Sequence, residues 1–159
     1  MKYKWLFIIL FASCRGNTNA TMSSEELALV KDSVTAMIDH ITDDLSTKGP
    51  VAWLDYFEDG PDFNMASDGA LVFKNYQTAS NFIRDTLVNM FARINLRWEH
   101  LRIDPLTNHL ASIASDFHED LIDSTGKSIT TNGYITAIAE KTSCCWQLRN
   151  VHWSILKPQ

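Results

Sequence analysis

The chain has 159 residues, of which 45% are hydrophobic, 11% aromatic and 21% charged. That composition excludes a disordered, collagen-like or multi-span membrane protein, and the length suits about one domain. A formal net charge of -5 with only 14 Lys and Arg is a poor electrostatic match for nucleic acid, so no nucleic-acid partner is expected.

Met1-Lys2-Tyr3-Lys4 is a short basic start, and Trp5 to Ala12 is an apolar run of 8 residues. A membrane-spanning helix needs about 20 residues, so this run fits the apolar core of a secretory signal instead. Phe11-Ala12-Ser13-Cys14 resembles a bacterial lipobox, in which the cysteine is lipidated after cleavage; Phe11 stands where Leu is commoner. The expectation is a signal peptide over 1–13, a lipid anchor at Cys14, a flexible Gly/Asn/Thr-rich tether over 14–22 and one domain over 23–159. The protein is then exported and held on the periplasmic or cell-surface side of a membrane.

Ser23-Ser24-Glu25-Glu26 has the pattern of a capping box that opens a helix. Leu27, Val30, Val34, Met37, Ile38, Ile41 and Leu45 follow at helical spacing. Gly49 ends this helix and Pro50 begins a short second one, whose apolar face is Trp53, Leu54 and Phe57. Phe63 and Met65 alternate with polar residues, Ser67-Asp68-Gly69-Ala70 is a turn signal, and Leu71 and Phe73 alternate after it, which predicts a hairpin. Asn75 caps a third helix with the stripe Ala79, Phe82, Ile83, Leu87, Met90 and Phe91.

Four strands follow, near 93–104, 110–122, 128–141 and 145–156. Trp98 and Leu101 put the apolar face of the first out of phase, which predicts a β-bulge near 99–101. Helices followed by a run of strands predict an α+β fold, three helices packed on one face of a curved antiparallel sheet. Cys144 and Cys145 are adjacent, so they form neither a disulfide framework nor a metal site by spacing. They read as half-buried strand thiols or as a strained vicinal disulfide.

The C-terminal half resembles the SnoaL-like branch of the nuclear transport factor 2-like superfamily. The resemblance rests on Phe117-x-Glu119, Asp123-Ser124-Thr125-Gly126-Lys127, Gly133-Tyr134-Ile135-Thr136 and the last strand, Trp146 to Ser154. It implies a conical α+β barrel, often a homodimer through the outer sheet face, that hosts isomerases, cyclases, dehydratases and members without a known reaction. Steroid-isomerase-like members carry an acid in the stretch comparable to Asp62–Ser67. Here Met65 or a close neighbour occupies that position, which counts against that chemistry.

Alternation along the last strand puts Trp146, Leu148, Asn150, His152 and Ser154 on one face, expected to line the cone, and Val151, Trp153 and Ile155 on the outer face. His152 is then a candidate general acid or base. On the second strand, either Asp116 and His118 face inward or Phe117 and Glu119 do; the second arrangement makes Glu119 a buried acid beside Trp98 or Tyr134. Trp53, Phe57, Phe63, Phe82, Trp98 and Tyr134 are candidates for an apolar ligand pocket. No cofactor and no metal site is expected, because metal-ligand spacing and Gly-rich phosphate loops are missing from the sequence. Three functions stay open: a lipid-anchored module binding a small, partly apolar ligand; a dimeric interaction module; and a lyase, isomerase or cyclase using His152 with Glu119 or Asp116.

Overall fold

The computed structural model describes residues 22–157. The expected signal segment 1–13, Cys14 and the tether up to residue 21 lie outside the described residues.

Helix α1 (Ser24–Lys48) opens on the capping box: the Ser23 hydroxyl accepts from the Glu26 amide at 3.2 Å, and the Glu26 carboxylate accepts from the Ser23 amide at 2.8 Å. Val30, Val34, Met37, Ile38, Ile41 and Leu45 are its buried face, while Leu27 is exposed. Gly49 ends the helix with φ 75, and a Cβ there would stand 2.7 Å from the Ala92 carbonyl oxygen. Both features require glycine. A 3-10 turn (Pro50–Ala52) leads into α2 (Trp53–Tyr56). The Tyr56 hydroxyl donates to Asp44 at 2.7 Å and ties α2 to α1.

Strands β1 (Asn64–Ser67) and β2 (Ala70–Phe73) form the expected hairpin. Its two turn residues, Asp68 and Gly69, both have positive φ, as a type I′ turn demands. Asn75 caps α3 (Tyr76–Phe82) as expected. The helix then widens into a π turn (Ile83–Leu87) before its last turn, α4 (Val88–Met90). The wider turn shifts the phase of the stripe. Beyond it Met90, expected on the buried face, is exposed; Phe82, just before it, is exposed as well, while Ile83 is buried.

The four long strands are β3 (Arg93–Thr107), β4 (Leu110–Ile122), β5 (Ser128–Lys141) and β6 (Trp146–Ile155). The sheet order is β2-β1-β6-β5-β4-β3. It is mixed rather than antiparallel throughout, because β1 runs parallel to β6, with Ala66 opposite His152. The long strands meander through hairpins; β1 instead comes from the helical layer and adds to the open edge of β6. The expected bulge in β3 lies between Glu99 and Arg102, where His100 takes φ 54. A second, unexpected bulge lies in β6. Ile138 pairs with Asn150 and Ala139 with Leu148, so Arg149 is the extra residue.

Between helices and sheet, Trp153 is the hub of the aromatic core. It meets Phe117 at 4.1 Å between ring centroids, Trp53 at 5.9 Å and Trp98 at 6.2 Å. Phe57 joins Trp53 to Phe63. Trp98 is tied to α1 by its indole N–H, which donates to the Thr42 hydroxyl at 2.9 Å.

Candidate functional site

A cavity of about 180 Å³ lies between the concave sheet face and the helices. Its depth is lined by buried Trp53 from α2, Phe57 just after it, Ile94 from β3, Ile135 from β5, and Val151 and Trp153 from β6. Partly or well exposed Met65, Phe73, Phe82, Leu87 and Leu121 form its rim. Ile83 and Leu87 come from the π turn, so that irregularity builds the wall opposite the sheet.

Glu119 is the ionisable side chain among the lining residues. Unbroken alternation along β4 buries Ala111, Ile113, Ser115, Phe117 and Glu119 on one side. The Phe117/Glu119 arrangement is therefore the one adopted. Glu119 is only 7% exposed and accepts one hydrogen bond, from the Thr131 hydroxyl at 3.1 Å. Burial pushes its carboxyl above the ordinary range, with the Thr131 bond opposing. An acid in such a place stays protonated to higher pH and can donate a hydrogen bond, or act as a base once ionised.

The other expected site residues are dispersed. Trp53 and Phe57 line the cavity, whereas Phe63 is fully buried behind Phe57. Trp98 borders a separate surface hollow against α1. Trp146 is buried near the first turns of α1, away from the cavity, and its indole N–H has no partner. Asp116 points outward and contacts His100 Nδ1 at 2.9 Å across the β3 bulge.

His152, Ser154 and Tyr134 require a correction. All three lie on the outer sheet face rather than in the cone. His152 is exposed and contacts Ser154 Oγ at 3.3 Å, and it borders a shallow surface hollow lined by polar Asn64, Ser112, Thr136 and Asn150 and by apolar Ala66 and Ile138. Val151 and Trp153, expected outside, are core, and of that set Ile155 alone is exposed. The cause is the β6 bulge, which inverts parity between Leu148 and Asn150. Arg149, at that bulge, donates to Glu140 at 2.7 Å and to Asp62 at 2.9 Å. A signal for this exists in the sequence: Trp146 and Leu148 are out of phase with Val151 and Trp153. Cys144 and Cys145 are also corrected. They are free, exposed thiols in the turn between β5 and β6, not half-buried strand residues.

Among the described residues, no group of three or more His, Cys, Asp or Glu side chains could hold a metal ion, and no helix is long and apolar enough to cross a membrane.

No protein-family model matches the chain, and a search of curated proteins returns no match. Solved structures do match. A nuclear transport factor 2-like superfamily protein from Salmonella enterica subsp. enterica serovar Typhimurium str. LT2 is 18% identical, with TM-score 0.68 over 83% of this chain and 94% of that one. A candidate scytalone dehydratase from Novosphingobium aromaticivorans DSM 12444 is 9% identical, with TM-score 0.72 over 85% and 89%. The hexachlorocyclohexane dehydrochlorinase LinA-type3 from Novosphingobium barchaimii LL02 is 10% identical, with TM-score 0.66 over 85% and 92%. At these identities the likeness shows the fold alone: the chain has the nuclear transport factor 2-like α+β fold, with an open sheet. A fold does not fix a function; the chemistry of the cavity does.

Proposed function

We propose that this chain binds a small, partly apolar ligand in the cavity under its helices, with Glu119 as the polar anchor and no assigned reaction. The observation that carries this reading is a buried carboxyl aimed into an otherwise apolar cavity with one hydroxyl as its partner. A buried acid without a cation costs stability, and a ligand group could complete its hydrogen bonding. The volume suits about one ring, since a cavity of roughly 150 Å³ lined by aliphatic and aromatic side chains holds benzene. Thermal-shift screening of one-ring compounds tests it. Binding compounds should raise the melting temperature of the native chain and fail to raise that of Val151→Phe, which fills the cavity.

A second reading is proton-transfer chemistry on the bound ligand. The pairing of Glu119 with His152 or with Asp116 is not assembled, because those two side chains stand on the opposite face of the sheet. Glu119 would act alone, and its desolvated carboxyl supports that role. The related structures named as a dehydratase and a dehydrochlorinase make an elimination the reaction class to assay first.

The anchor belongs to the same proposal. Its support is the order of basic, apolar, small and Cys residues ending at Cys14. A Cys14→Ala variant should no longer incorporate labelled fatty acid or sediment with membranes. Homodimerisation would use the outer face that carries Tyr134, Thr136 and His152, and sedimentation of the native chain against Tyr134→Asp measures it.

A further inference from the structure

The cavity is one-sided in charge and rich in aromatic rings. Trp53, Phe57, Phe73, Phe82 and Trp153 line it together with Glu119. Aromatic faces carry the negative end of a quadrupole and attract cations within about 6 Å. The elements around Glu119 offer no compensating positive charge. Its strand neighbours are Leu96 on β3 and Thr131 on β5. The π turn presents Ile83 and Leu87 and leaves Arg84 and Asp85 exposed. The hairpin presents Met65 and Phe73 and leaves Asp68 and Lys74 exposed, while α2 presents Trp53 and leaves Asp55 exposed. On β3, Arg93 and Arg97 are exposed, and on β6 Arg149 is engaged by Glu140 and Asp62.

Resting on the ligand-binding reading above, we infer that the cavity selects a small organic ammonium ion, an amine carried on an apolar body of about one ring, paired with Glu119 among aromatic side chains. An anion would meet the carboxyl and the negative ring faces together. A neutral ligand would leave the carboxyl protonated and gain one hydrogen bond. An ammonium ion makes both the carboxylate and the rings favourable. The binding step balances in charge and protons: the carboxyl releases its proton to solvent, the ammonium ion keeps its own, and the ion pair that forms is neutral overall. Burial favours the protonated carboxyl in the empty cavity, so affinity for the cation rises as pH rises through that carboxyl's titration.

Calorimetric titration of the native chain with benzylamine, benzyl alcohol and benzoate tests this at about pH 5 and about pH 8. Benzylamine should bind about tenfold tighter than benzyl alcohol at the higher pH, and its affinity should fall at the lower pH with proton release to buffer. Benzyl alcohol should show no such rise with pH. Glu119→Gln, confirmed as folded by its melting transition, should lose most of the preference for the amine, and what the rings retain should no longer rise with pH. Benzyl alcohol or benzoate binding as well as benzylamine overturns the inference and leaves the ligand-binding reading standing, as does an amine preference that Glu119→Gln leaves undiminished. Failure of all three to bind overturns both.

Discussion

Glu119 and Thr131 face each other across β4 and β5, and the 3.1 Å hydrogen bond from the Thr131 hydroxyl is the one the buried carboxyl receives. A carboxyl whose pKa is raised in the folded state binds its proton more tightly there. Its contribution to stability is complete in acid and is lost as pH rises through the folded-state value. Glu119→Gln removes this loss. The difference in unfolding free energy between Glu119→Gln and the native chain should therefore move in favour of the variant from about pH 4 to about pH 8. Urea unfolding of both proteins across that range checks it, and the difference isolates Glu119 from the carboxylates whose hydrogen bonds lower them, such as Asp44 and Asp123.

The β6 bulge makes an asymmetric prediction for two neighbouring residues. His152→Ala removes an exposed side chain and should change stability by less than about 0.5 kcal/mol. Trp153→Ala removes the hub of the aromatic core and should cost about 3–5 kcal/mol. Chemical unfolding of the two variants decides it; the reverse order would restore the simple alternation that places His152 inside.

Gly133 is where β5 admits the Phe117 ring. A Cβ there would collide with the Ser154 carbonyl oxygen on β6 and with the edge of that ring. Backbone cannot yield as a flexible side chain does, so Gly133→Ala should destabilise by about 1–3 kcal/mol. The loss should shrink if Phe117→Leu is combined with it, which a double-mutant cycle of unfolding free energies measures.

Cys144 and Cys145 are both exposed, yet their environments push their thiols in opposite directions. Their sulfurs are 2.8 Å apart; the hydrogen bond from Cys145, and then that from Thr142, hold the Cys144 thiol below its ordinary range, while the contact with Cys144 raises Cys145. The thiolate is the nucleophile. Limiting iodoacetamide near neutral pH should label Cys144 first, as read by peptide mass spectrometry.

What was legible in the sequence followed from local chemistry. The Ser23/Glu26 box, the Gly49 stop, the Asp68-Gly69 turn and the β3 bulge each carry their own signature, and all are found where the residues place them. The inward Glu119 was accessible because β4 alternates without interruption. Simple alternation misplaces His152 because one extra residue, Arg149, inverts a period-2 pattern without changing its composition. The π turn acts in the same way on the stripe beyond it and leaves Met90 exposed. The parallel pairing of β1 with β6 joins segments far apart in sequence, and periodicity within a strand says nothing of its neighbour.

The central claim is that the ligand site is the inner cavity anchored by Glu119, not the outer hollow beside His152. Heteronuclear magnetic resonance of the described domain, titrated with benzyl alcohol, tests it most directly. The account predicts saturable shifts at Glu119, Ile135 and Val151 that vanish in Val151→Phe, with Tyr134, Thr136 and His152 unmoved. Shifts centred on His152 and Thr136, or no saturable shift at all, would contradict it.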